Sequence, residues 1–357
     1  MVAAVDVADF DFELPDELIA QDPPAVRGAS KLLVLDRQTG AIEHARFGDL
    51  DRLLQPGDVL ALNDTRVFPA RLLGKRVPSG GAVECLLIHK SAETGDPRIE
   101  EWEALVHPGQ KLKAGTRVLF EHAGIRIHGE ILERRFFGRR SIRLESERMP
   151  VDEAINALGH IPLPPYIRRE DRPEDRDRYQ TVYARERGSI AAPTAGLHFT
   201  EPLLERLRDG GVETVRVTLH VGYGTFKPVR VDRVEDHSVD PEPFTVAPET
   251  AAALSRARRE GRRIIAVGTT TARALESLQI GDEGQLLPQT GPATLFIYPG
   301  HAFRVVNGLI TNFHLPRSSL LMLVSAFAGT DRVLHAYRTA VALRYRFYSY
   351  GDAMLIL

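Results

Sequence analysis

Cysteine is almost missing from this sequence: Cys85 is the only one in 357 residues. An intramolecular disulfide and a multi-cysteine zinc or iron-sulfur site are therefore excluded, and a reducing compartment fits. Lysine is scarce too, with six among the 46 basic side chains and arginine making up the other 40. No charge sign dominates, because 48 acidic residues leave a formal net charge of -2. Any site for a polyanion must be local, and guanidinium forks suit phosphate there. The longest strongly apolar stretch, Leu320 to Ala328 with Ser325 inside it, falls well short of the roughly 20 residues that cross a bilayer. The N-terminal stretch carries Asp6, Asp9, Asp11 and Glu13 in place of a basic start and an apolar run, so no secretory signal is expected. These absences predict a soluble cytoplasmic protein with no membrane partner.

A hydrophobic content of 43% over this length supports a sizeable core, and at about 100 to 200 residues per domain the length predicts two domains. Lys31 to Leu35 and Ala41 to Phe47 are strand-like runs around a Gly-containing turn, a predicted hairpin. Gly57 to Leu62 is an apolar strand that ends in Asn63-Asp64-Thr65-Arg66, and polar residues at a strand end suggest the rim of a site. Between about Arg71 and Ser146 only short strands appear, separated by Gly or Pro turns: Val83 to His89, Glu103 to Val106, Arg117 to Glu121, Ile125 to Leu132 and Ser141 to Leu144. That is the signature of a small barrel. The remainder alternates strands and helices, with strands at Val212 to Val221, Arg263 to Val267, Thr294 to Ile297 and Val305 to Ile310. The expected fold is an α/β main domain, a mixed sheet or barrel with flanking helices, over residues 1-66 and 151-357, with a small antiparallel β-barrel inserted at 67-150. Cys85 falls on a barrel strand and reads as a core residue. The Pro-rich, charged segment from His160 to Tyr183 is too long for an ordinary connection. It is either functional or a solvated linker.

Four constellations carry polar groups to strand ends or helix starts. Gly188 to Phe199 is a run of small residues holding His198, ahead of a helix that Thr200 can cap. His220 ends a strand and precedes Gly222-Tyr223-Gly224; no helix follows, which opposes a dinucleotide fold. Val267-Gly268-Thr269-Thr270-Thr271 joins a strand to a helix, where free amide groups and hydroxyls favour a carboxylate or phosphate, and no Gly-Lys-Ser/Thr follows to make a P-loop. Thr311-Asn312-Phe313-His314 repeats the strand-to-helix plan. None of the three histidines has metal-ligand spacing, so proton transfer is favoured and no metal is expected.

These segments together resemble a known family. Asn63-Asp64-Thr65-Arg66-Val67, Pro162 to Ile167, Tyr179 to Tyr183, Ala191 to Thr200, Thr218 to Gly222, Gly268-Thr269-Thr270, Thr311 to Pro316 and Tyr350 to Met354 are similar, in order and over nearly the whole chain, to the motifs of the S-adenosylmethionine:tRNA ribosyltransferase-isomerase family. The resemblance implies a bacterial enzyme of queuosine biosynthesis that moves the ribosyl unit, not the methyl group, of S-adenosylmethionine. The acceptor would be the 7-aminomethyl-7-deazaguanine wobble base of tRNA, and the products epoxyqueuosine-tRNA, adenine and methionine. It also implies an α/β domain bearing a small barrel, a candidate tRNA contact.

Such a reaction needs a base for the ribose 5′ carbon, an acid near adenine, an anion site for the methionine carboxylate and a group to orient the amine. His198 and His220 are the expected bases, with Asp352 or His314 the acid. Gly268, Thr269 and Thr270 with Arg273 suit the carboxylate, and Asp64 or Glu242 the amine. Asn63, Arg66, Thr194, Gly196, Gly222, Gly224 and Asn312 complete the expected substrate-binding set. S-adenosylmethionine is a co-substrate and tRNA the partner, with no obligate protein partner and a monomer expected. Two positions depart from the family pattern: Asp240 stands where a His is usual, and Asn307 where an Asp is usual. A tRNA methyltransferase or a non-catalytic RNA-binding protein are the rival classes. The first lacks its Gly-rich loop here, and the second leaves three separately placed histidines unexplained.

Overall fold

A computed structural model describes residues 5-93, 95-135 and 138-357. The chain opens with the expected hairpin, β1 (Lys31–Leu35) and β2 (Ile42–Arg46), then α1 (Leu50–Leu53), β3 (Val59–Asn63) and the short β4 (Thr65–Val67). Six strands follow: β5 (Arg71–Val77), β6 (Ala82–Glu93), β7 (Ile99–His107), β8 (Arg117–His122), β9 (Ile125–Arg134) and β10 (Arg139–Ser146). They close into an antiparallel barrel in the order β10-β7-β6-β5-β8-β9. Val83, Cys85 and Leu87 alternate into its core, and burial pushes the Cys85 thiol up to about 12, which leaves it an inert packing group. Helix α2 (Val151–Leu158) buries Val151, Ala154, Ile155 and Leu158 in that same core. By packing it goes with the barrel, and we therefore propose a domain boundary near Gly159, not at residue 150.

The main domain continues through α3 (Asp175–Arg178), β11 (Glu186–Ser189), α4 (Glu201–Asp209), β12 (Glu213–Leu219) and β13 (Glu242–Val246). It ends with α5 (Pro248–Arg259), β14 (Ile264–Val267), α6 (Thr269–Glu276), β15 (Gln289–Ala293), β16 (Gly308–Asn312), α7 (Ser319–Ala328), α8 (Thr330–Ala342) and β17 (Ala353–Ile356). Nine strands form one mixed sheet in the order β15-β13-β12-β3-β14-β16-β17-β1-β2. At its centre β12, β3, β14 and β16 run parallel. Both faces are covered, as a parallel centre demands. Ile264 and Ala266 of β14 pack toward α5 to α8, while Ile265 and Val267 point to the opposite layer with Leu203 and Leu207 of α4. Thr200 caps α4 as expected, its hydroxyl accepting from the Leu203 amide.

One strand expectation shifts. Thr294 to Ile297 forms no strand; Leu295, Phe296 and Ile297 still pack on the core, which is why the segment looks like one. The ladder runs instead through β15, whose Gly291 and Pro292 disguise it and are tolerated because the strand lies at the sheet edge. The long His160 to Tyr183 segment is anchored, not solvated. Buried Asp175 receives both guanidinium nitrogens of Arg169, at 2.7 and 2.9 Å, together with the Tyr350 hydroxyl and the Arg172 amide.

Candidate active site

The parallel arrangement of β12, β3, β14 and β16 fixes where chemistry can sit, because all four carboxyl ends lie on one edge. In open α/β sheets that edge is the usual ligand site. It gathers Asn63-Asp64 from β3, His220 from β12, Gly268 to Thr270 from β14 and Asn312 to His314 from β16.

A cleft of about 560 Å3, counted to its open mouth, holds Gly268, Thr269, Thr270, Thr194, Asn312 and His314. The first intrahelical bond of α6 is made by the Ala272 amide to the Gly268 carbonyl, so the amides of Thr269 to Thr271 are not used within the helix. Gly268 has φ +94°, and a Cβ there would stand 3.6 Å from Thr270 Oγ1. Glycine both permits that backbone and leaves the space in front of the helix open. Tyr166, from the anchored loop, and Tyr348 wall the cleft with ring centroids 3.8 Å apart. Tyr348 is held at φ +73°, a conformation costly for an aromatic residue and typical of functional sites.

The histidines divide into two kinds. His198 is 4% exposed, stacks on Phe47, and has both ring nitrogens bonded, Nδ1 to the Ser30 hydroxyl at 3.0 Å and Nε2 to the Asn312 amide at 3.1 Å. Burial, then the charges of Arg346 and Arg27, push its pKa down to about 3. His314 is similarly lowered to about 3 by burial, with Nε2 bonded to the Thr311 hydroxyl at 2.8 Å. His220 is different: it is only part-buried and faces a second, wider groove of about 2060 Å3 between the barrel and the sheet edge. Its Nδ1 lies 2.8 Å from the Thr65 hydroxyl, which also meets Ser189 Oγ at 2.7 Å. Burial lowers its pKa, opposed by the charges of Glu186 and Asp64. Among the described residues its Nε2 has no hydrogen-bond partner, so it can exchange a proton with a ligand in the groove. A Cβ on Gly188 would lie 2.7 Å from the imidazole.

Carboxylates follow the same division. Asp352 does not reach either cavity; its two oxygens accept the Lys31 and Arg346 amides, tying β17 to β1. Asp64 accepts the Thr218 hydroxyl at 2.7 Å, and burial raises its pKa. Glu242 is buried at the floor of the groove, its Oε1 accepting the Gly222 amide and its Oε2 Arg273 at 2.8 Å. Burial raises its pKa, opposed first by Arg273. Arg273 is thus turned toward Glu242 and away from the cleft.

The other expected substrate contacts take varied places. Asn63 bridges β3 to β12 through the Leu219 amide and carbonyl. Gly196 lies under Tyr183, whose hydroxyl a Cβ would meet at 2.2 Å. Arg66 is exposed on β4. Gly222 and Gly224 line the groove, and Gly224 packs closely against Asp240. Asp240 bonds Lys227 at 2.6 Å and reaches across to Arg139 of the barrel at 3.2 Å, an interdomain tie where the family pattern has an imidazole. Asn307 accepts the Ile264 amide at the start of β14, the end remote from the cleft. Ser30 and Tyr348 escaped sequence analysis, as did the roles of Thr65 and Ser189, because each acts through a partner distant in the chain.

The family model described as queuosine biosynthesis protein matches residues 7–356. The chain belongs to that family. It is 50% identical over 349 residues to the S-adenosylmethionine:tRNA ribosyltransferase-isomerase of Desulfitobacterium hafniense, covering 98% of this chain and 99% of the relative. A relative of the same name from Anaeromyxobacter is 53% identical over 350 residues, covering 98% of each. The crystal structure of S-adenosylmethionine tRNA ribosyltransferase from Thermotoga maritima is 40% identical, covers 98% of this chain and all of that one, and superposes with a TM-score of 0.54.

Proposed function

We propose that this protein is an S-adenosylmethionine:tRNA ribosyltransferase-isomerase. It transfers and isomerises the ribosyl unit onto the 7-aminomethyl-7-deazaguanine wobble base of tRNA, giving epoxyqueuosine-tRNA, adenine and methionine. The observation that carries this is the end-to-end family match. The cavities support a division of labour. The cleft is narrow, is lined by Thr270, Asn312 and Tyr348, and takes the methionyl end of S-adenosylmethionine. The groove is wider and is lined on the barrel side by Phe68, Trp102 and Arg139, a combination suited to an unstacked base and its backbone. Val221 lines both, so the ribose lies between them, next to His220.

The sulfonium acidifies the adjacent ribose 5′ carbon. His220, neutral near pH 7, accepts that proton, and Glu186 and Asp64 stabilise the resulting imidazolium. Ring opening then expels adenine, the amine of the base attacks, and epoxide formation displaces methionine. The His220 imidazolium returns its proton to the departing adenine, because His314 is neutral near pH 7; Glu242 lines the groove, whereas Asp64 does not, and is the candidate to orient the amine. We place the enzyme in the cytoplasm with its tRNA, acting as a monomer. The test is incubation with S-adenosylmethionine and tRNA carrying the aminomethyl base. Adenine and methionine are expected in equal amounts, and only with that tRNA. Stoichiometric methyl transfer to tRNA would sink the assignment.

A further inference from the structure

The charge of the cleft's occupant is written in its lining. Its lining residues include no Lys, Arg, Asp or Glu, and the one imidazole, His314, is buried and neutral at pH 7. A phosphate dianion would find no counter-charge there. Yet two polar atoms buried in the lining have no protein partner: Thr270 Oγ1 and Asn312 Oδ1. Thr270 is 8% and Asn312 2% exposed, so leaving either unsatisfied is costly unless a ligand completes it.

The two atoms have opposite characters. The Thr270 hydroxyl stands on the first turn of α6 and can donate alongside that turn's amides, where the helix dipole favours a single negative charge. Asn312 Oδ1 can only accept. Its orientation is forced, because Asn312 Nδ2 donates to the Tyr348 carbonyl at 3.1 Å, and a carbonyl cannot donate in return. The same Nδ2 faces His198 Nε2 at 3.1 Å. His198 must therefore accept there, carry its proton on Nδ1 and donate it to Ser30. A neutral His198 holds the amide so that its oxygen is left for the cleft.

A donor cluster and an isolated acceptor in one uncharged cleft match a zwitterion. Resting on the proposed activity, we infer that the cleft is a clamp for the α-amino-acid end of S-adenosylmethionine. The carboxylate lies at the α6 N-terminus and Thr270, the α-ammonium at Asn312 Oδ1, and His198 is a positioning residue. The clamp also binds the product methionine, which makes methionine a competitive inhibitor.

The probes are L-methionine, 4-(methylthio)butanoate, which lacks the amine, 3-(methylthio)propylamine, which lacks the carboxylate, and inorganic phosphate. Each is titrated as an inhibitor of adenine release, competing with S-adenosylmethionine. L-Methionine should bind best, with either truncated probe weaker by about 10-fold or more, in line with hydrogen bonds to charged groups. Thr270→Val should weaken L-methionine and the butanoate by about 10-fold and leave the propylamine unchanged, and Thr270→Ser should restore them. His198→Ala should weaken L-methionine and the propylamine and spare the butanoate. Equal weakening of all probes by Thr270→Val, or phosphate competing as well as L-methionine, overturns the clamp. If wild-type enzyme releases no adenine, the enzymatic assignment fails by itself; calorimetric binding of the same four probes then decides the clamp separately.

Discussion

The imidazole of His220 and the hydroxyl of Thr65 lie 2.8 Å apart although 155 residues separate them in the chain. The contact exists because β12 and β3 are parallel neighbours, so the residues just past their ends meet. Thr65 fixes the plane of the ring while Nε2 stays open to the groove. General bases contribute about 100-fold to 10,000-fold in rate, so His220→Ala should lower kcat by that order with S-adenosylmethionine affinity largely intact. Because burial lowers the pKa of His220, the acid limb of the wild-type kcat/KM profile should fall below about pH 6.5. Normal turnover per folded molecule in the variant would remove His220 from the mechanism.

Gly188 tests the same position without deleting it. A methyl group there would stand 2.7 Å from the His220 ring and must push it off its place. Gly188→Ala should lower kcat by up to ~100-fold, since displacement of about an ångström suffices for that. A full-rate Gly188→Ala enzyme would show that the ring's placement is not critical.

His198 and His314 predict a pH dependence of stability. Their pKa values in the folded chain are about 3, against roughly 6.5 when unfolded. Their contribution is whole above the unfolded value and is lost as pH falls toward the folded one, because the unfolded chain then binds protons that the folded chain refuses. Below pH ~6 each should add up to about 1.4 kcal/mol of destabilisation per pH unit. Denaturant unfolding of His314→Gln should show a shallower slope than wild type between about pH 6 and 5. An unchanged slope would mean that His314 protonates in the folded protein as readily as in the unfolded chain.

The Arg273 and Glu242 pair is buried at 11% and 4% side-chain exposure. Removing the cation strands a buried carboxylate, at a cost of about 3 to 5 kcal/mol. Arg273→Met should therefore be severely destabilising, and adding Glu242→Gln should recover part of the loss, because glutamine can still accept from the Gly222 amide. Unfolding curves of the three proteins measure this. A double variant no more stable than Arg273→Met would deny that the charge is the cause.

Much of this protein was legible from local signals. The barrel follows from short strands between Gly and Pro turns, and the β1 and β2 hairpin and the Thr200 cap from turn and capping chemistry, all of which act over a few residues. The motif residues at strand ends were found because strand ends are visible in sequence. What each does was not. His198, His220 and His314 look equivalent as small-residue or strand-end histidines, yet Ser30 and Asn312 close both nitrogens of the first, His314 is buried in the cleft wall, and His220 alone faces the wide groove. Arg273 sits on the helix whose N-terminus faces the cleft, but Glu242 on another strand turns it away. Asp352, in a motif, spends both oxygens on backbone amides. Sequence determines which elements form and which polar groups stand at their ends, because propensity, periodicity and capping are local. Which of those groups remain unpartnered toward a ligand is decided only when parallel strands bring distant chain segments within hydrogen-bonding distance.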